Sequence, residues 1–315
     1  MQKLLKNKSD TDAKKLALER PSAEIRTRKN YSIERAFSSI VFNCIDQMLS
    51  NESGITSSYD MESLHQFRVG VRRLRSALTL YNKYVAIPCL LKSELDWLTR
   101  QLNDARDWDV FTTIVLPQLA ISIDHNRDKT ELVALANLSA EHMHKIAKEA
   151  IQSQRYILLL LNLHMWLYEN AWREALSKKE LMALHKDAFQ LSQKQLKQAK
   201  RKLLKSDAKL RQSKPENIHK IRIKAKQVRY ALEFFNELFS SRKYIRDIHR
   251  LSKLQTQLGN YNDMVVADRL LKTMQGQVGL TKISIGLVRE NLNKIRRQNY
   301  VKTQHRWKKF RKSCK

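Results

Sequence analysis

His65, Arg68, Arg72 and Arg75 follow one another three or four residues apart, and His219, Arg222, Lys226 and Arg229 repeat that spacing 154 residues later. On a helix, at about 100° per residue, each set falls in a single stripe. A row of cationic N–H donors is built to hold oxyanions, and a guanidinium fork can take two phosphate oxygens at once. Arg68 and Arg72 are like charges one turn apart, as are Arg222 and Lys226, and no acid stands between them. Such pairs weaken a helix by a few tenths of a kcal/mol each, roughly, and an anion laid along the stripe removes the repulsion. Charges about 5–6 Å apart along the axis suit an extended polyanion better than one small ligand. The competing reading of either stripe alone is a solvated face, or one paired with acids elsewhere in the fold.

The elements that carry the stripes are also written twice. LHQFRVGVRRLRSAL (64–78) and IHKIRIKAKQVRYAL (218–232) each set an apolar stripe beside the basic one. The apolar stripes are Leu64, Phe67, Val71, Leu74, Leu78 and Tyr81, and Ile218, Ile221, Ala225, Val228, Leu232 and Phe235. Asp60 is placed to cap the first motif helix, and Pro215 to sit in the first turn of the second. The repeat continues into the following helix, LTRQLNDARDWDV (98–110) against LQTQLGNYNDMVV (254–266), which pairs Asp107 with Asp263 at an offset of 156. The period is far longer than a solenoid's, so it reads as a duplication and predicts two similar helical units in a pseudo-twofold molecule.

Composition bounds the rest. With 6 Gly and 4 Pro in 315 residues, turn residues are too few for a β-rich chain, and the prediction is all-α. A formal charge of +29 points to a polyanionic partner: nucleic acid, an anionic membrane or a phosphate polymer. Cys44, Cys89 and Cys314 are scattered and odd in number, which suits a reducing compartment and argues against a disulfide scaffold or Cys-rich zinc site. No secretory signal is expected, because the first residues, MQKLLKNKSDTDAKK, carry no apolar run. The run YILLLLNLHMWLY (156–168) is too short and broken to span a membrane, and a buried helix is expected there. The expected layout is a basic arm over 1–30, a first helical half over 31–180, a second over 181–300 and a basic tail over 301–315. Helices are expected to end near Gly259, Gly276 and Gly279.

Other chemistry is poorly supported. Arginines beside each motif histidine disfavour a metal, and no nucleophile, phosphate-cradling loop or metal motif stands out. Asp107 and Asp263 are expected to fix arginines or cap helices. No catalytic residue, metal ligand or cofactor is therefore assigned. Lys194, Lys197 and Arg201, opposite the apolar side of their helix, are secondary candidates for anion contact, as is Arg73. The acid-free stretch after Glu290, with Trp307 and Phe310, is expected to be an anion-binding arm, a membrane-surface helix or a frayed terminus.

The paired motifs resemble the CHAD domain family (conserved histidine α-helical domain). His65, Arg68, Val69, Arg72, Arg73, Leu74, Arg75 and Leu78 match its first motif, V-H-x-x-R-V-x-x-R-R-L-R-x-x-L. His219, Arg222, Ile223, Lys226, Arg229, Tyr230, Ala231 and Glu233 match its second, L-H-x-x-R-I-x-x-K-R-L-R-Y-A-x-E. Leu102, Arg106, Asp107, Asp109 and Val110 match its aspartate segment. Gln227 replaces the second basic residue of the family's K-R pair, and Asn103 replaces a glycine. Asn103 is expected to fill the glycine's place at a helix end by tolerating a left-handed backbone. The resemblance implies two pseudo-symmetric bundles around a basic cleft or pore, and binding of inorganic polyphosphate without catalysis; the two stripes are the expected binding residues, and a stand-alone member of the family is expected. A cytoplasmic location is expected. The alternatives are a basic helical protein that binds nucleic acid, and an adaptor that docks acidic proteins or granules.

Overall fold

The structure is a computed structural model, and it describes residues 30–123, 126–212, 214–235, 242–274 and 282–314. Most of the expected N-terminal arm, and Gly276 and Gly279, lie outside the described residues. In chain order the helices are α1 (Ile33–Leu49), α2 (Glu52–Thr56), α3 (Met61–Leu80), α4 (Cys89–Val110), α5 (Leu116–Leu119) and α6 (Asn126–Gln152). They continue with α7 (Gln154–Tyr168), α8 (Lys178–Leu184), α9 (Ala188–Leu204), α10 (Asp207–Arg211), α11 (Pro215–Phe234), α12 (Arg242–Met274) and α13 (Lys282–Ser313). Among the described residues the only β-type pairing is an isolated bridge between Ser32 and Asp187, so the fold is all-α as expected.

The chain forms two compact units. The first holds the described residues up to Arg106 together with His144–Ala188. Its centre is α1 against α3. Gly70 lets them approach closely, since a Cβ there would lie 2.9 Å from Met48 Cγ and 3.1 Å from the Cys44 carbonyl oxygen. Phe37 packs on Tyr81, Trp166 and Trp172, with ring centroids 5.2, 6.2 and 5.3 Å away. Asp60 caps α3 as expected, its carboxylate accepting from the Ser63 backbone N–H at 2.7 Å. The greasy run 156–168 is α7, and it is only half buried. Tyr156, Leu159, Leu163, Trp166 and Leu167 face the core, whereas Ile157, Leu158, Leu161 and Met165 stand exposed. A 3.6-residue period turns one side of an all-apolar helix inward and leaves the rest outside. The helix stops at Tyr168 because Asn170 adopts a left-handed conformation (φ 54°).

The second unit holds Asp107–Met143 and Phe189–Lys315. Segment 107–143 belongs here because Trp108, Phe111, Val115, Leu116 and Leu132 share one core with Met264, Leu270, Val288 and Leu292. Phe111–Val115 is a π-helical turn just before Pro117. Proline has no N–H to give and would crowd the carbonyl four residues back, and widening the turn accommodates it. Pro215 lies in the first turn of α11, as expected. Gly259 does not end a helix: α12 runs unbroken from Arg242 to Met274. An interior glycine costs about 0.5–1 kcal/mol, which the buried row Leu251, Leu254, Leu258, Tyr261 and Met264 readily offsets.

The expected basic tail is also corrected. Residues 301–313 are the last turns of α13, seated by buried Trp307 and Phe310. Trp307 Nε1 donates to Asp207 Oδ1 at 2.6 Å, and Arg311 pairs with the same carboxylate at 2.5 Å.

Candidate anion-binding stripes

The first stripe lies on α3 in the first unit. Leu64, Phe67, Val71 and Leu74 of the same helix are buried, which leaves the basic flank at the core's edge. Arg68 Nη2 donates to Asn103 Oδ1 at 2.7 Å. Arg75 pairs with Asp96 and donates to Thr99 Oγ1 at 3.2 Å. Asp96, Thr99 and Asn103 are spaced three and four apart, so one face of α4 runs beside the stripe. His65 and Arg72 are partly buried. Arg72 makes no ion pair among the described residues, and its Nε is buried without a hydrogen-bond partner. An anion reaching the exposed part of the Arg72 guanidinium would supply the charge partner that it lacks among the described residues.

Asn103 does not act as expected. It sits inside α4, seven residues before that helix ends at Val110, and is not among the residues with positive φ. What it contributes is a neutral amide oxygen, which orients a guanidinium without cancelling its charge.

The second stripe lies on α11 in the second unit, beside buried Ile218, Ile221, Ala225 and Val228. His219 is exposed, and its Nδ1 lies 3.1 Å from Asn262 Oδ1 on α12. Arg222 and Lys226 are partly buried. Gln255 Nε2 donates to the Ala225 carbonyl at 2.7 Å, which fixes α12 against this helix. Arg229 is bound by Glu233 one turn along its own helix, at 2.5 Å. Partial burial works against the Arg229 charge, but Glu233 more than offsets it, so the guanidinium pKa stands above its ordinary value.

The two copies thus neutralise their outermost arginine by different routes. The position matching Asp96 at the 156-residue offset is Ser252, and the position matching Glu233 at the 154-residue offset is Thr79. In the first copy the acid comes from the next helix, in the second from the stripe's own helix. The inner positions of the stripes are His65, Arg68 and Arg72 on α3 and His219, Arg222 and Lys226 on α11.

Arg73 lies off the stripe. It is only 4 % exposed, and its guanidinium donates to Gln47 Oε1 at 2.6 Å and to Asn43 Oδ1 at 3.1 Å. It fastens α3 to α1. Lys194, Lys197 and Arg201 are exposed on α9. Lys197 and Arg201 line a groove of about 740 Å³ with Lys200, Lys205 and Cys314, and Lys194 does not. Asp107 pairs with Arg269 at 2.9 Å, which is the arginine-fixing role expected of it. Asp109 is buried, at 1 % exposure. Among the described residues no three His, Cys, Asp or Glu side chains gather as a metal site would require, and no helix is long and apolar enough to cross a membrane. The partners on α4 and α12 were missed from the sequence. Their signal was present as a polar row, Asp96, Thr99 and Asn103, beside a helix that needed one.

Comparison with known proteins agrees with this architecture. The CHAD domain family matches residues 39–272. A crystal structure of the CHAD domain from the plant Ricinus communis is 31 % identical, with a TM-score of 0.80, over 91 % of this chain and 95 % of that one. PptA from Streptomyces chartreusis shares the fold at 14 % identity, with a TM-score of 0.68, over 88 % of this chain and 100 % of that one. No curated protein sequence matches. The duplicated His-Arg motifs, the all-α architecture and these matches together place the chain in the CHAD domain family.

Proposed function

We propose that the chain binds inorganic polyphosphate through the two stripes, without chemical turnover. The inner positions His65, Arg68 and Arg72, and His219, Arg222 and Lys226, make the main contacts, with Arg75 and Arg229 at the stripe ends. The observation that carries the reading is Arg72, a partly buried guanidinium on the stripe that makes no ion pair among the described residues. Phosphate oxygens suit it, since they supply charge and strong acceptors at guanidinium spacing. A chain of +29 formal charge that meets a polyanion gains further from the release of condensed counterions.

The reading is tested by titrating long-chain polyphosphate into the full chain, with duplex DNA as competitor. Polyphosphate binding that Arg72→Ala and Arg222→Ala weaken, and that DNA displaces poorly, supports it. Equal binding of duplex DNA, unaffected by those substitutions, would favour the nucleic-acid alternative. A partner protein held at high salt would favour the adaptor.

A further inference from the structure

The second unit carries a further basic site on another side of α12. The helices α12 and α13 pack along each other, where Asn299 Nδ2 donates to the Asn260 carbonyl at 3.4 Å and Thr303 Oγ1 to the Gln257 carbonyl at 3.3 Å. Toward the start of α12 they leave a groove of about 510 Å³, lined by His249, Arg250, Lys253, Arg306, Lys309 and Lys312. Every lining side chain is cationic or titratable. Among the described residues none of the six makes a hydrogen bond or an ion pair. The acids nearby are already committed. Asp247 is buried against Lys200 at 2.7 Å, Asp207 holds Trp307 and Arg311, and no acid follows Glu290 in the sequence.

The groove is separate from the stripe on α11. Gln255 and Asn262, which touch that helix, point one way from α12. His249, Arg250 and Lys253 lie about half a turn round, at roughly 100° per residue. Helix polarity explains part of the groove only. Cations suit the last turn of α13, but the same effect gives no reason for three near the start of α12. Like charges at three- and four-residue spacings repel along both helices, a cost that a bound anion removes.

We propose that this groove is a second anion site, for a compact ligand carrying several clustered phosphate groups. A recess of this size admits a few phosphates together, whereas duplex nucleic acid needs an open face. The ligand is either a short condensed phosphate or a small organic polyphosphate, and the site does not depend on the stripes binding anything.

The test uses the full chain at low salt, with tripolyphosphate as one probe and ATP without metal as the other. The readouts are titration calorimetry and protection of individual lysines from acetylation, read by mass spectrometry. The expected result is that saturating tripolyphosphate protects Lys253, Lys309 and Lys312. The triple variant Lys253→Ala, Arg306→Ala, Lys309→Ala should lose about tenfold or more in affinity at one class of site. Helical circular dichroism should be unchanged in that variant. The stripe variant Arg72→Ala, Arg222→Ala should keep the lysine protection, which separates failure of the stripe reading from failure of this one. Equal protection by ATP assigns the site to organic polyphosphates, and protection by tripolyphosphate alone assigns it to condensed phosphate. Absence of protection by both probes, wild-type binding by the triple variant, or protection by single-stranded DNA alone would overturn the proposal.

Discussion

Arg68 Nη2 is held by Asn103 Oδ1 at 2.7 Å, across α3 and α4. At the 156-residue offset the counterpart of Asn103 is Gly259, which has no side chain to offer. The first copy therefore has an orienting amide at this position that the second lacks. Asn103→Ala is expected to weaken polyphosphate binding a few-fold, because the guanidinium loses a positioning contact. Asn103→Asp is expected to weaken it further, by about tenfold, because a carboxylate there competes with phosphate for the same fork. Asn103→Gln should restore part of the loss. Calorimetric titration of the four proteins checks this order. Tighter binding by Asn103→Asp would contradict it.

Arg73 differs from its neighbour Arg72 in kind. Arg73→Ala removes the donor to Gln47 and Asn43 and opens a space between α1 and α3. It should cost about 2–4 kcal/mol of stability and leave polyphosphate affinity near wild type. Urea denaturation measures the first and titration of the folded variant the second. Arg72→Ala should do the reverse.

Two glycines should respond to the same substitution with opposite sign. Gly70→Ala drives a methyl group into Met48 and the Cys44 carbonyl, and overpacking of this kind costs about 1–3 kcal/mol. Nothing lies within 4 Å of a Cβ built on Gly259, inside an unbroken helix. Gly259→Ala should therefore gain about 0.5–1 kcal/mol. Thermal melts of both variants check the pair, and a lower Tm for Gly259→Ala would mean that α12 is not continuous there.

Asp207 should give the fold an acid-sensitive contact. The Trp307 indole hydrogen bond, with Arg311 and Arg211 beside it, holds the Asp207 carboxyl below the usual carboxylate range despite partial burial. A carboxylate with a lowered folded-state pKa contributes stability that is fully present above its unfolded value, about 3.9, and is lost as pH falls through the lower folded value. Asp207→Asn should lower stability at neutral pH and flatten its acid dependence below about pH 4. Tryptophan fluorescence followed through an acid titration reads the difference between the two proteins.

How much of this could be read from the sequence depended on how local the cause was. Asp60 and Pro215 mark their helix starts because capping and proline geometry act within one turn. Both motif stripes and their apolar neighbours followed from helical period. The continuity of α12 through Gly259 did not, because burial of residues on either side decides it. Arg73 looked like its neighbours until α1 was in place to supply Asn43 and Gln47. The end of α13 looked like a tail because its charge was visible and the partner of Trp307, an aspartate 100 residues earlier, was not.

The central claim is electrostatic capture by the stripes, and the slope of polyphosphate affinity against salt tests it most directly. Wild type should lose affinity steeply as salt rises, because binding releases counterions from the polyanion. Arg72→Ala combined with Arg68→Ala and Arg222→Ala should bind far more weakly and with a visibly shallower slope. A triple variant with wild-type affinity and wild-type slope would contradict the account.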